Sequence, residues 1–406
     1  MKEIFLRELA DIQTGPFGSQ LHKEDYVENG TPIVTVEHLG NKDFSEQNLP
    51  RVSNSDKDRL KKYVLKEGDI VFSRVGSVDR CSYVDKTHAG WMFSGRCLRV
   101  RPNTEIDSEY LYYYFCMDEI KEFVRNIAVG ATMPSINTKL LGEVTVRFPD
   151  LVQQKKIAGV LSAIDGKIKV NQKINDNLQK QLYEIYKTWY QDFLCIDNLT
   201  LIESPYGKIP QGWHYSMLGD LCKSVSVTHN FNTERLIFLN TGDVEDGMFL
   251  HSDYMAVADM PGQAKKTIMQ NDILYSEIRP INRHFAYVDF QADNYVVSTK
   301  LMVIRATSFD SRRLYHFLTL QDTLEELQMQ AESRSGTFPQ IRFENISKLP
   351  ILIADSNTET AFVTLLHAAY NQIEHNNSEN KKLSELRNSL LPQLMSGKID
   401  VSRIRL

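Results

Sequence analysis

The chain has 406 residues, 42% of them hydrophobic and 24% charged, with a formal net charge of −5. At about 100–200 residues per domain this is an ordinary globular protein of several domains, not a disordered tail, a collagen-like repeat, a disulfide mini-scaffold or a histone-like polycation. The five cysteines (Cys81, Cys97, Cys116, Cys195, Cys222) are scattered, with no C-x-x-C pair, and read as free thiols of a reducing compartment. No apolar run approaches the ~18 residues of a membrane span. The opening MKEIFLRELADIQTG mixes acids with its apolar residues, unlike a secretory signal, so the expectation is a soluble cytoplasmic protein.

Taken in chain order, the elements occur twice. Residues 68–100 begin with a turn former and Asp-Ile (Gly68, Asp69, Ile70), continue through an apolar strand, an Arg-bearing loop and a Tyr-Val-Asp strand, and end in a β-rich apolar run. Residues 110–115 are rich in aromatics and read as a core helix in preference to a base-stacking platform. The run GATMPSI follows at 130–136, then a short strand at 144–148 and a long helical pattern. After the segment 196–213, which carries two Pro and two Gly and reads as a linker, the order repeats. Asn271, Asp272 and Ile273 open residues 271–304. LYHFL at 314–318 answers the aromatic helix, SGTFPQI at 335–341 answers GATMPSI, and a strand at 349–353 leads into a second helical pattern. Asp69 and Asp272 lie 203 residues apart, Pro134 and Pro339 lie 205 apart, and a period of half the chain means two copies of one unit. The fold expected is α+β: two pseudo-repeat globular domains joined by two long antiparallel coiled-coil helices.

The helices carry a heptad seam. From Ile157 the series Leu161, Ile164, Ile168, Asn171, Asn175, Leu178, Leu182, Ile185, Trp189 steps by 4 and 3. Adding 205 gives Phe362, Leu366, Ala369, Ile373, Asn376, Asn380, Leu383, Arg387, Leu390, Leu394, apolar apart from the two Asn and Arg387. Seam Asn weakens a coil and fixes its register. An antiparallel pairing about a pseudo-two-fold axis would set Asn171 against Asn380 and Asn175 against Asn376; the alternative is an interrupted seam with these Asn in solvent. At 1.5 Å per residue the first seam spans about 50 Å. A strut of that length with a similar domain at each end suits a partner of quasi-two-fold form, duplex DNA.

Catalytic signatures are missing. There is no P-loop, no G-x-G-x-x-G after a strand and no H-E-x-x-H, and the ten His show no metal-ligand spacing. Pro149-Asp150 followed by Asp165 and Lys167 formally fits a nuclease pattern, but the acid and lysine fall inside the heptad helix, where that pattern needs a strand. The expectation is a chain without a catalytic or metal centre.

Several stretches resemble the specificity (S) subunits of type I restriction–modification systems. LRNSLLPQLMSGKIDV at 386–401 looks like that family's C-terminal helix end. QQKKIAGVLSAIDGKI at 153–168, NQKIN at 171–175 and YKTWY at 186–190 are similar to its central region, and GKIPQGW at 207–213 to the entry of its second half. MPSIN at 133–137 and Thr-Gly-Asp at 241–243 recur there too. The resemblance implies target-recognition domains at 1–150 and 214–354, a central helix at 151–195, the linker at 196–213, a C-terminal helix at 355–397 and a tail at 398–406. Each domain would read one half of a bipartite, asymmetric site in double-stranded DNA. The helices would set the spacer and dock two methyltransferase (M) subunits, with Trp189, Tyr190, Leu390, Leu391 and Leu394 as partner contacts. No cofactor is expected in this chain; S-adenosylmethionine, ATP and Mg belong to the M subunits and to the restriction (R) subunits that join them. Arg387 departs from the apolar seam and puts the tightness of the coil near it in doubt.

Base and phosphate contacts are sought from chemistry, as Lys and Arg for phosphates and Arg, Lys, Asn, Gln, Ser or Thr for base edges. Residues 1–150 and 196–355 are acidic, net −3 and −6, so partner subunits would have to supply positive surface. Arg74 and Arg80 flank one repeat loop, and Arg279 and Arg283 flank its counterpart. Thr132, with Arg334 and Thr337, marks a second matched loop. These seven are the candidate DNA contacts; the alternative is that the Arg pair with acids such as Asp79 and Glu277. Lys265-Lys266 is a further basic pair. Two rival readings stay open: a self-contained DNA methylase or nuclease with divergent motifs, and a coiled-coil adaptor that never touches DNA.

Overall fold

The computed structural model describes residues 1–17, 20–40, 42–334 and 338–402, without the side chains of Lys23 and Arg334. Two compact units emerge: Met1–Lys173 with Asn376–Leu406, and Ile174–His375. Both long helices contribute to both units.

The two units share the order of one antiparallel sheet, a pair of terminal strands and a parallel strand pair, while the order of the second sheet differs. In the first, Lys2–Phe5 pairs with Thr145–Phe148. A four-stranded antiparallel sheet runs Ala10–Thr14, Cys97–Pro102, Ile70–Ser73, Cys81–Tyr83, and a second sheet holds Thr31–Val34 parallel to Met92–Phe93. In the second, His214–Met217 pairs with Pro350–Ile353. Its antiparallel sheet runs Cys222–Val225, Leu301–Ala306, Ile273–Ser276, Phe285–Tyr287, and Arg235–Leu239 lies parallel to Tyr295–Ser298.

The apolar runs after each Asp-Ile turn are central strands buried on both faces. Side chains alternate across a strand, so Ile70 and Phe72 enter one core while Val71 enters another. Ile273 and Tyr275 do the same on one face, and Leu274 on the other. The turn formers have a physical reason: Gly68 has φ +88° and Asn271 φ +73°, a left-handed conformation that Gly and Asn tolerate. Beside them, buried Asp69 takes Arg101 in a two-pronged ion pair (2.6 and 2.7 Å) and the Lys66 N–H (2.8 Å). Asp272 holds Arg305 (2.7 and 2.8 Å) and the Met269 N–H (2.8 Å) in the same way. Hydrogen bonding to the carboxylate raises the pKa of both arginines. The matched Asp are thus frame residues.

The helices Ser108–Cys116 and Ser311–Thr319 are capped alike, by Asp107 accepting from the Tyr110 N–H and Asp310 from the Arg313 N–H. Tyr110 to Phe115 are all buried, as a core helix requires.

The first long helix is Leu151–Tyr186, closed by a π-helical turn Lys187–Gln191; the second is Ser356–Met395. Asp150 and Asp355 cap their first turns. Within the first unit the two run antiparallel. Asn171 Nδ2 donates to Asn380 Oδ1 (2.9 Å) and to Glu379 (2.7 Å), and Asp165 meets Arg387 fifteen residues before Ser402 at 2.7 Å. In the second unit Phe362 packs on Tyr186, Trp189 and Tyr190. Asn171, Asn175 and Asn376 are all buried, not solvated.

Two expectations need correction. Residues 196–213 are not an unstructured linker: Leu201–Ser204 and Gly207–Pro210 form a hairpin, and Ile209 and Trp213 sit in the second unit's core. Tyr190, Leu391 and Leu394 are buried inside this chain, so they are core residues and not a free surface for a partner; Trp189 and Leu390 are half-buried against the same cores. Asp165 and Lys167, the acid and lysine of the rejected nuclease pattern, are occupied by Arg387 and Glu379.

Candidate nucleic-acid interface

The two loops singled out in each copy come together. In the first unit Val75 bridges to Ser135, the Gly76 N–H donates to Pro134 O (2.8 Å) and the Ile136 N–H to Arg74 O (2.9 Å). In the second, Ile278 bridges to Gln340, the Arg279 N–H donates to Pro339 O (3.1 Å) and the Ile341 N–H to Glu277 O (2.9 Å). Each unit therefore presents one composite edge built from an Arg-bearing loop and a Pro-bearing loop.

This pairing corrects the matching of the arginines. Arg74 stands where Glu277 stands, and Gly76 where Arg279 stands. Ser73 bonds to Arg80 O and Ser276 to His284 O, so Arg80 matches His284 and one residue is inserted between. The loops correspond; the Arg positions do not. Backbone geometry agrees, since Gly76 has φ +74° and Arg279 φ +44°. A left-handed conformation is strained for an arginine.

The arginines divide by environment. Arg80 and Arg279 are exposed and form no ion pair among the described residues. Arg74 is half-buried, donates to Gly95 O (3.1 Å) and lies over the Phe17 ring. Arg283 is bound by Asp246 through Nε (2.9 Å) and Nη2 (2.7 Å), which answers the solubilising alternative for that residue, though its partner is Asp246 rather than Glu277. Asp79 is occupied by Arg125 and is not a partner of Arg80. Thr132 is exposed at the tip of the first Pro loop. Thr337 and the side chain of Arg334 lie outside the described residues. Lys266 is drawn inward: its ammonium donates to Thr299 O (2.9 Å) and Leu301 O (2.8 Å), and burial lowers its pKa, so it braces the sheet.

Two cations escaped the sequence reading. The Arg74 N–H donates to Arg96 O and the Glu277 N–H to Lys300 O, which sets Arg96 and Lys300 beside the composite edges. A signal existed: Gly95-Arg96 and Thr299-Lys300 both precede the last strand, in chain order, of the antiparallel sheet. Arg80 also shares with Lys121 the wall of a cavity of about 350 Å³ in the first unit.

Asp43, Asp85 and His88 bring ligand-type atoms within 4.8 Å of one another. The Lys169 ammonium already occupies that cluster, 2.9 Å from Asp43 and 3.5 Å from Asp85. Burial pushes the Asp85 carboxyl up, but hydrogen bonds from Thr87 and His88 outweigh it and hold the carboxyl well below the usual range. The geometry is that of an internal ion pair. Among the described residues no helix is long and apolar enough to cross a membrane.

Comparison with known proteins adds a family. The sequence model of the type I restriction modification DNA specificity domain matches residues 1–180 and 210–385. The type I restriction enzyme HindI specificity subunit of Haemophilus influenzae is 42% identical over 181 residues, 44% of this chain and 39% of that one, so the match spans under half of that relative. The MjaIX specificity subunit of Methanocaldococcus jannaschii is 25% identical over 312 residues, 75% of this chain and 72% of the other. The crystal structure of a type I S subunit from M. genitalium superposes with a TM-score of 0.58 at 16% identity, over 97% of this chain and 95% of that one, a likeness of fold. With the domain matched twice, over most of its length, the chain belongs to the type I restriction modification DNA specificity family.

Proposed function

We propose that this chain is the sequence-reading, non-catalytic subunit of a type I restriction–modification complex, in which each unit reads one half of a split, asymmetric site in duplex DNA. The observation that carries the reading is the double family match lying on two units that share one antiparallel-sheet order, each with its own composite loop edge. Arg80, Arg96 and Arg279 supply exposed positive charge at those edges; Arg74 and Thr132 stand on the first edge, and Arg334 and Thr337 belong by sequence to the second. Arg283 contributes through a pair with Asp246 that DNA phosphates would have to displace. The acidic balance of both domains is compensated by partner subunits clamping the duplex.

The long helices set the spacing between half-sites and carry two M subunits, with R subunits joining that core. Register rests on Asn171, Asn175, Asn376 and Asn380. This chain binds no cofactor of its own; S-adenosylmethionine, ATP and Mg act on the partner subunits, in the cytoplasm.

The test is modification-sensitive sequencing of a cell carrying this chain with its cognate M subunit. The expected result is methylated adenines in a split motif with a fixed gap. An assembled complex that leaves no motif would overturn the reading.

A further inference from the structure

The cavity that Arg80 and Lys121 wall in the first unit also holds two of the five cysteines. Cys81 opens the strand Cys81–Tyr83 at the edge of the antiparallel sheet, and Cys116 closes the core helix Ser108–Cys116. Both line the cavity, and a hydrogen bond joins their thiols. Cys81 is buried and Cys116 half-buried. The fold does not demand sulfur at either place. In the second unit Phe285 opens the matching strand and Thr319 closes the matching helix, its hydroxyl turned onto the Tyr315 and His316 carbonyls (3.0 and 3.1 Å).

The surroundings set the two thiols apart. The Cys81 S–H and the Tyr112 hydroxyl hydrogen-bond to the Cys116 sulfur, and Lys121 adds positive charge. Together they outweigh burial and the Asp165 charge and hold the Cys116 pKa below that of an ordinary thiol. The same hydrogen bond, then burial, push the Cys81 thiol up, so the shared proton stays on Cys81. The other three cysteines shift the opposite way to Cys116: burial pushes Cys97 and Cys222 up to about 12 and raises Cys195. The thiolate is the nucleophilic form of cysteine. The cavity therefore holds a nucleophile, a second thiol in contact with it, and two cations to steady a departing oxyanion.

We propose that Cys116 is a modification site for hydroperoxides, with Cys81 as its resolving thiol. The Cys116 thiolate attacks the terminal oxygen of the hydroperoxide and the O–O bond breaks. The sulfur becomes a sulfenic acid, and the other oxygen leaves as alkoxide or hydroxide and takes a proton from water. The Cys81 sulfur then gives up its proton and attacks the sulfenic sulfur. The S–O bond breaks, water leaves and a Cys81–Cys116 disulfide forms, the two thiols having supplied the two electrons that reduce the peroxide. Sulfurs already in hydrogen-bond contact need little movement to join. Asp165 and Arg387 line the same cavity, so the bond forms where the core helix meets the long-helix pair.

The experiment exposes the reduced full chain to hydrogen peroxide, alkylates the remaining thiols and maps the peptides by mass spectrometry. The expected product is a Cys81–Cys116 link with two hydrogens lost, formed at least about ten-fold faster than oxidation of Cys195, the other half-buried thiol. Cys81→Ser should stop at a sulfenic acid on Cys116 that a 1,3-dione traps. Cys116→Thr, the residue of the second copy, should leave Cys81 unoxidised. Three results overturn the proposal: Cys195 oxidised as fast as Cys116, Cys116 oxidised without a link to Cys81, or no dione adduct in a Cys81→Ser chain that keeps the wild-type melting temperature.

Discussion

Asp165 and Arg387, one on each long helix, form an ion pair of 2.7 Å at the seam position where the apolar pattern breaks. The Tyr113 hydroxyl donates to the other oxygen of Asp165 (2.5 Å). Arg387 is therefore no weak point in the coil: it neutralises an acid that the first domain's core helix also binds. Arg387→Leu leaves Asp165 largely buried without its cation and should destabilise the first unit by about 2 kcal/mol, below the cost for a fully buried pair because Arg387 keeps some solvent contact. Asp165→Leu added to it should recover most of that loss. Denaturant unfolding of the two variants checks both expectations.

Arg279 offers a way to separate stability from binding. Its left-handed backbone is natural for the glycine that stands at the matching position, Gly76. Arg279→Gly should relieve strain and raise thermal stability by up to about 1 kcal/mol. It should also lower affinity for the target duplex and reduce the salt slope by about one, as loss of one phosphate contact requires. A variant with reduced stability and unchanged binding would reverse the assignment.

The second unit should be acid-sensitive. His316 is buried beside Arg313, its Nδ1 lies 3.2 Å from the Tyr370 hydroxyl, and its Nε2 has no hydrogen-bond partner among the described residues. Burial first, then the Arg313 charge, push its pKa down to about 3. The unfolded chain takes up this proton near pH 6.5 and the folded chain does not, so the unfolded state binds more protons between these values. Stability is complete above pH 6.5 and falls by about 1.4 kcal/mol per pH unit as pH drops towards 3. His316→Phe should flatten that slope in unfolding experiments between pH 4 and 7.

The amide contact between Asn171 and Asn380 fixes the antiparallel register of the first unit's helix pair. Asn171→Cys with Asn380→Cys should crosslink efficiently with a short bis-maleimide, read by peptide mapping. Asn171→Cys with Leu394→Cys should not, being about 20 Å apart along the second helix. Equal yields from both pairs would show a sliding register.

What was legible in the sequence was whatever the chain states twice. The Asp-Ile turns, the Pro loops and the seam could be found because each copy checks the other, and the left-handed φ of Gly68 and Asn271 explains why those turn formers recur. Equivalence of Arg74 with Arg279 was not legible: one inserted residue before His284 shifts the loop, and only backbone pairing across the Pro loop reveals it. Arg96 and Lys300 were missed because their neighbours come from another strand. Tyr190 and Leu394 pass for partner contacts in the sequence because apolar residues at a helix end carry no mark of what covers them. Here Tyr190 is covered by Phe362 and Trp213 and sealed by a hydrogen bond to Glu359, while Leu394 belongs to the first unit's core.

The paired staples Asp69–Arg101 and Asp272–Arg305 carry a consequence for descent. They lock two strands of each antiparallel sheet beneath loops that have already diverged, with Gly76 against Arg279 and Met133 against Phe338. A frame held from below leaves its rim free to drift. Under the proposed function, duplication of one such unit yields a reader of two identical half-sites, and change confined to the rim of either copy turns it into a reader of two different ones without refounding the fold.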